Sequence, residues 1–387
     1  MTDWKQLDRE YIAPTYARFP VTLVRGQGAM LYDENGRGYI DMGSGIGVSA
    51  FGACDEAWAA AVTRQLNTLQ HASNLYYTQP CVALARTLCE RTGMKKVFFS
   101  NSGAEANECA IKAARKYAAQ AKGREYSAII TLRNSFHGRT VTTLAATGQD
   151  HYHEHFQPLT PGFVHVPAND FAAMEAAVRE HKTAGILLEC VQGEGGVVPL
   201  EADFVRKTAA LAKQEDILLM IDEVQTGNGR TGRLYAYMGF GIAPDIVSTA
   251  KGLGGGLPLG ATLLGEKAQY ALGPGDHGST FGGNPVCCAG AMSVLERLDE
   301  DFLAQVREKE ALIRQMLEGA PGVKAVTGMG LMIGIQTEKP VSEVLSQCRE
   351  EGVLCLTAKD RLRLLPPLNI PEDLLIQALE TIRRACA

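Results

Sequence analysis

Lys251 carries the most chemistry of any residue in the chain. It closes the apolar, β-branched run Ile246-Val247-Ser248-Thr249-Ala250 and opens the cluster Gly252-Leu253-Gly254-Gly255-Gly256. That pattern predicts a strand end feeding a tight loop. An amine walled in there is desolvated, which disfavours its charged form and frees it as a nucleophile able to form a Schiff base. The other reading is a surface lysine in a turn. Asp222 precedes Lys251 by one strand–helix–strand unit and ends a wholly apolar run, Ile217-Leu218-Leu219-Met220-Ile221. A carboxylate buried at that point needs a partner. A protonated pyridine nitrogen is one, and it would let a heterocycle act as an electron sink. A helix N-cap or a metal ligand are the alternatives, and no cluster with metal-ligand spacing accompanies Asp222.

Other polar groups follow other predicted strands, at the carboxyl ends where open α/β sheets bind ligands. After Val97-Phe98-Phe99, the segment Ser100-Asn101-Ser102-Gly103-Ala104-Glu105 opens a helix whose free N–H groups suit a phosphate, or are simply capped by Ser102. After Ala128-Ile129-Ile130 comes Asn134-Ser135-Phe136-His137-Gly138-Arg139-Thr140. There Phe136 could stack on a flat ring and Arg139 could grip a carboxylate, unless the loop only exposes an arginine beside a core phenylalanine. After Ile186-Leu187-Leu188 comes Glu189-Cys190-Val191-Gln192-Gly193-Glu194-Gly195-Gly196, an acidic residue among glycines or a plain polar turn. Gly278-Ser279-Thr280-Phe281-Gly282-Gly283 again has the character of a phosphate loop.

The elements that must position these groups alternate short apolar runs with helical patterns, which predicts an α/β fold with a buried, mostly parallel sheet. The ends differ. Residues 23–41 read as an antiparallel meander, and the chain beyond Pro285 reads as an α+β unit. The predicted organisation is an N-terminal part of a small domain (1–50), a large domain (51–285) and a C-terminal part of the small domain (286–387).

Composition sets bounds. The 387 residues carry a net charge of −5, with 46% hydrophobic and 21% charged residues. That gives no electrostatic footprint for nucleic acid or an anionic membrane. No apolar run approaches the roughly 20 residues that span a bilayer. Met1-Thr2-Asp3-Trp4-Lys5-Gln6 lacks the basic start and apolar core of a signal peptide, so a cytoplasmic protein is expected. Ten scattered cysteines without a Cys-x-x-Cys pair are expected to be free thiols. His151-Tyr152-His153-Glu154-His155 suggests zinc at first sight but reads as a solvated loop, and Gly252-Leu253-Gly254-Gly255-Gly256-Leu257 is a poor dinucleotide fingerprint.

Six motifs in order make the chain resemble the class III pyridoxal-phosphate-dependent aminotransferases over almost its whole length. They are Ser102 to Glu108, Phe136 to Thr140, Gln192 to Gly196, Asp222 to Gly227, Ser248 to Lys251 and Ser279 to Pro285. The short chain, Ala72-Ser73-Asn74-Leu75-Tyr76-Tyr77 and Phe281 are most similar to the acetylornithine subgroup. One departure is Cys190, where the family usually has proline.

The resemblance implies a fold-type I homodimer with shared active sites and pyridoxal 5′-phosphate as cofactor. It implies that Lys251 forms the Schiff base and shuttles the proton, and that Asp222 pairs with the pyridine nitrogen. Gln225 would lie near the ring hydroxyl, and Phe136 would stack on the ring. Ser102, Gly103 and Ala104 would hold the phosphate, which Thr280 of the neighbouring subunit would also reach. His137 and Glu223 join the implied cofactor set, and Ser279 the implied substrate set. Arg139 would take the donor's α-carboxylate and Arg363 that of 2-oxoglutarate, with Glu194 as the switch that masks Arg363 while the donor is bound. The implied reaction is ping-pong transfer of the distal amine of N-acetylornithine to 2-oxoglutarate, a step of arginine biosynthesis. Ornithine, succinylornithine and 4-aminobutyrate are alternative donors. A same-fold decarboxylase or aminomutase, or a non-catalytic binding protein, are the readings from other classes.

Overall fold

A computed structural model describes residues 2–387. Seven strands form the central sheet: β4 (Lys96–Ser100), β5 (Ala128–Leu132), β6 (Phe163–Val166), β7 (Thr183–Glu189), β10 (Leu218–Asp222), β11 (Ile246–Thr249) and β12 (Gly260–Leu264). The three N-terminal strands are β1 (Leu23–Gln27), β2 (Met30–Asp33) and β3 (Gly38–Asp41). A short hairpin pairs β8 (Val191–Gln192) with β9 (Val198–Pro199). The C-terminal strands are β13 (Val323–Met329), β14 (Met332–Thr337), β15 (Val353–Leu354), β16 (Leu356–Ala358) and β17 (Arg361–Leu364).

The central order is β4-β12-β11-β10-β7-β5-β6. Only β12 runs antiparallel to its neighbours. The sheet is therefore mixed but mostly parallel, and its strands are apolar throughout because both faces are covered. Side chains alternate between the faces. Leu187, Leu218, Met220 and Ile246 pack with Ala110, Ile111 and Ala114 of the helix Gly103–Ala121. Ile186, Leu188, Leu219, Ile221 and Val247 share the opposite core with Phe204 and Met174.

The N-terminal meander pairs β1, β2 and β3 antiparallel, and the C-terminal β15 adds to β3 in parallel. The chain's two ends thus share one sheet. A second small sheet, β13-β14-β17-β16, holds Arg363 on β17. Arg230 ties this part to the central sheet. Its Nη1 donates to the carbonyls of Leu331 (3.0 Å) and Pro366 (2.5 Å).

Three details depart from expectation. The strand β6 and the helix Phe171–Glu180 that follows it are additions to the pattern read from sequence. The stretch after Pro285, whose sequence reads as one long helix, is two helices, Pro285–Leu295 and Glu300–Leu317, with Asp299 capping the second. The segment 151–155 is solvated only in part: His151, Glu154 and His155 are exposed, but His153 is buried, with Nε2 at 2.9 Å from the carbonyl of Leu144.

Leu188 is fully buried in the middle of β7. Leu188→Ala is expected to cost about 2–5 kcal/mol, against less than about 0.5 kcal/mol for the exposed Lys213→Ala. Denaturant titration of the two variants measures the difference.

Candidate active site

A cavity of about 570 Å³ opens at the carboxyl ends of β4, β5, β7, β10 and β11. Lys251 lines it and starts a short 3₁₀ turn, Lys251–Leu253, with φ at +47°. That left-handed backbone is uncommon for a residue with a Cβ and needs support from its surroundings. Asn228 supplies part of it. Its Nδ2 donates to Thr249 Oγ1 (2.9 Å) and to the carbonyl of Ala250 (3.1 Å). Burial lowers the Lys251 ammonium below the usual lysine range. Glu194 opposes that shift and Arg363 adds to it.

Asp222 is buried at the end of β10. Its Oδ1 accepts from the backbone N–H of Val224 (3.0 Å). Its Oδ2 accepts from Asn107 Nδ2 (2.7 Å) and pairs with His137 Nδ1 (2.8 Å). Strand parity explains the Asn107 contact, since Asp222 follows Leu218 and Met220 onto the face covered by the helix Gly103–Ala121. Asn107 also donates to the carbonyl of His137 (2.9 Å) and accepts from Ser248 Oγ (2.5 Å). Ser248 is the register partner of Asp222 on β11.

The same parity corrects the expectation for Glu223. Its side chain turns away from the cavity, accepting from Thr226 Oγ1 (2.5 Å) and the N–H of Tyr237 (2.7 Å), and burial pushes its carboxyl up to about 7. His137 lines the cavity, and its ring reaches Asp222. It therefore supports that carboxylate.

Ser102 caps the helix Gly103–Ala121, its Oγ accepting from the N–H of Glu105 (3.2 Å), while Glu105 reaches back to the N–H of Asn101 (2.7 Å). Gly103 and Ala104 open the helix and have no intrahelical acceptor for their N–H groups. Both line the cavity, so the helix presents free donors and its positive dipole end there. Only glycine fits at 103, because a Cβ would lie 2.6 Å from Val224 Cγ1.

Phe136 and Arg139 line the same cavity. The Arg139 guanidinium lies 4.5 Å from the ring centre of Tyr152 and 5.6 Å from that of Phe136. Arg363 is buried on β17 and does not itself line the cavity; its Nη1 donates to two residues that do, Glu194 Oε1 at 2.5 Å and Gln225 Oε1 at 3.3 Å. Glu189, at the end of β7, also lines the cavity. It accepts from the N–H of Phe136 (2.9 Å) and of Gly193 (3.3 Å), and burial pushes its carboxyl up to about 7.

Ser279 and Thr280 lie outside this cavity. Ser279 Oγ is joined to it through Asn101 Nδ2 (3.2 Å), while Thr280 is exposed on the surface. Cys190 is a buried thiol between β7 and β8, raised well above the usual cysteine range by burial. Among the described residues no group of three His, Cys, Asp or Glu could hold a metal ion.

Asn107, Asn228, Glu189 and Tyr152 are site residues that sequence reasoning missed. Asn107 carried a signal: it lies three and four residues before Ala110 and Ile111, on the buried stripe of its helix. A polar residue there calls for a buried partner.

The Aminotransferase class-III family model matches residues 11–386. The acetylornithine aminotransferase of Haemophilus ducreyi is 51% identical over 95% of this chain and 94% of its own length. That of Methanocaldococcus jannaschii is 44% identical over 98% of both. Among solved structures, the ornithine aminotransferase of Toxoplasma gondii superposes with a TM-score of 0.95 at 32% identity, covering 99% of this chain and 94% of that one. A second structure of that enzyme is described with partial occupancy of PLP at the protein active site. The N-acetylornithine aminotransferase of Stenotrophomonas maltophilia superposes with a TM-score of 0.84 at 34% identity, covering 98% and 97%. The fold is thus fold-type I, and the chain belongs to the class-III aminotransferase family.

Proposed function

We propose that this chain is an acetylornithine aminotransferase that moves the distal amine of N2-acetyl-L-ornithine to 2-oxoglutarate, giving N-acetyl-L-glutamate 5-semialdehyde and L-glutamate. The observation that carries the acyl preference is the state of the carboxylates in the cavity. Glu194 is taken by Arg363, Glu189 by two backbone N–H groups, and Asp222 by Asn107, His137 and Val224. None is left to neutralise a free α-ammonium, which would be costly to bury unpaired. An acylated α-nitrogen is neutral and suits the apolar lining of Val48, Leu257 and Pro258. Ornithine is the competing donor, because ornithine aminotransferases share the whole fold.

The cavity fits pyridoxal 5′-phosphate: free helix N–H groups for the phosphate, a phenylalanine ring for the heterocycle, a buried carboxylate and a desolvated amine. When bound, the cofactor supplies a ring that takes up the electron pair left as a proton departs from the amine-bearing carbon. Lys251 Nζ would hold the cofactor and move that proton. Asp222 would pair with the ring nitrogen, Phe136 would stack on the ring, and Gln225 would serve the ring hydroxyl. Ser102, Gly103 and Ala104 would hold the phosphate.

Arg139 binds the donor's α-carboxylate, placing the distal amine at the reacting centre. Glu194 neutralises Arg363 during that half of the cycle. In the other half, Glu194 swings away and Arg363 binds the α-carboxylate of 2-oxoglutarate.

The active form is a homodimer in which Thr280 reaches the partner subunit's cofactor. Leu75, Tyr76, Tyr77 and Phe281 are exposed apolar residues that a partner would cover. All ten cysteines are free, which fits a cytoplasmic enzyme, and no helix among the described residues is long and apolar enough to cross a membrane.

Three outcomes are expected. In steady-state assays with 2-oxoglutarate, N-acetylornithine exceeds ornithine in kcat/KM by at least about tenfold, and a preference for ornithine would reverse the assignment. Lys251→Ala abolishes both turnover and the visible absorbance band of the purified protein. Arg363→Ala lowers kcat/KM for 2-oxoglutarate by about 100-fold, while single-turnover conversion of the donor falls far less.

A further inference from the structure

Glu189 makes two contacts, one to each of two separate loops of the site. It is the last residue of β7, buried, and held in register beside Asp222. One oxygen, Oε2, accepts from the N–H of Phe136 at 2.9 Å. The other, Oε1, accepts from the N–H of Gly193 at 3.3 Å. Phe136 belongs to the loop after β5, and its ring lines the cavity. Gly193 begins the turn that carries Glu194. That turn packs tightly, since a Cβ at Gly193 would lie 2.8 Å from the side-chain amide of Gln225. Gln225 and Glu194 both contact Arg363. A continuous chain of contacts therefore runs from Phe136 through Glu189 to Gly193, and on to Arg363.

We propose that Glu189 is a positioning residue that locks the Phe136 loop and the Glu194 turn to each other, one carboxylate oxygen to each. The residue type fits the task. Both partners are N–H donors, so both atoms of the side-chain fork must be acceptors. Glutamine keeps the size but turns an NH2 group toward one of the two donors, leaving that N–H buried without an acceptor. Aspartate keeps both acceptors but is one carbon too short to reach two loops from the same backbone. A loosened Glu194 turn masks Arg363 less well while the donor is bound. The consequence is a loss of discrimination between donors with one carboxylate and glutamate, which brings two.

The test has two arms. The first is amide hydrogen exchange in cofactor-free protein, which does not depend on any assigned activity. In E189Q at least one of the amides of Phe136 and Gly193 exchanges about tenfold faster than in wild type, while amides in the middle of β7 and β10 are unchanged. The second arm rests on the transaminase reading of the site. In single-turnover reactions E189Q narrows the preference for N-acetylornithine over glutamate about fivefold, the size of a loss near 1 kcal/mol. If E189Q does not accumulate as folded protein, E189D is read in the same way. Wild-type exchange at both amides in the variant would overturn the proposal, as would an equal fall of both donors' rates. A wild-type protein that turns over neither donor would sink the transaminase reading, while the exchange arm would still decide the role of Glu189.

Discussion

A carboxylate at the end of a wholly apolar strand is stable only if the protein supplies the hydrogen bonds that water would have made. Asp222 is that carboxylate, and much of the site is the answer to its burial. Three donors reach it from three places: Asn107 from the covering helix, His137 from the loop after β5, and the backbone of Val224. Each donor is fixed in turn. Asn107 is held by Ser248 and by the carbonyl of His137, and His137 by the N–H bond to Thr147 Oγ1 at 3.0 Å. The network joins four separate segments into one rigid floor beneath the cavity.

Around that floor the charges are arranged in a definite order. Burial lowers the Lys251 ammonium below the usual lysine range, the direction that the proposed nucleophile and proton carrier needs. Arg363, buried on a different sheet, cannot be left alone, so Glu194 and Gln225 pair with it. Arg139 is exposed and rests on aromatic faces. One arginine is therefore open in the cavity, and the other is masked behind two residues that line it. In the proposed function, that asymmetry is what would let one site handle two substrates whose charges differ at the same end.

The strand ends were legible because both-faced burial makes each strand a clean apolar run, and the polar residue that stops the run marks the edge where ligands bind. Lys251 and Asp222 stand out for that reason. The same uniformity hid which face each side chain takes. Without alternation, nothing in Asp222-Glu223 indicates that the first turns toward the helix Gly103–Ala121 and the second away from it. Partners drawn from distant segments were also invisible. Glu189 looked like one more acidic residue before a glycine turn. Tyr152 was passed over because its histidine neighbours suggested a metal or a loop. The strand β6 is short and half-buried over most of its length, so it lacked the apolar run that exposed the others.

The proposed role of Asp222, to accept a hydrogen bond from the cofactor's protonated ring nitrogen, is the central claim. The most direct measurement is 15N NMR of the protein loaded with pyridoxal 5′-phosphate labelled at that nitrogen. The expected result is a protonated ring nitrogen in the wild-type protein and an unprotonated one in Asp222→Asn. An unprotonated nitrogen in the wild type, or a signal unchanged by the substitution, would contradict the account.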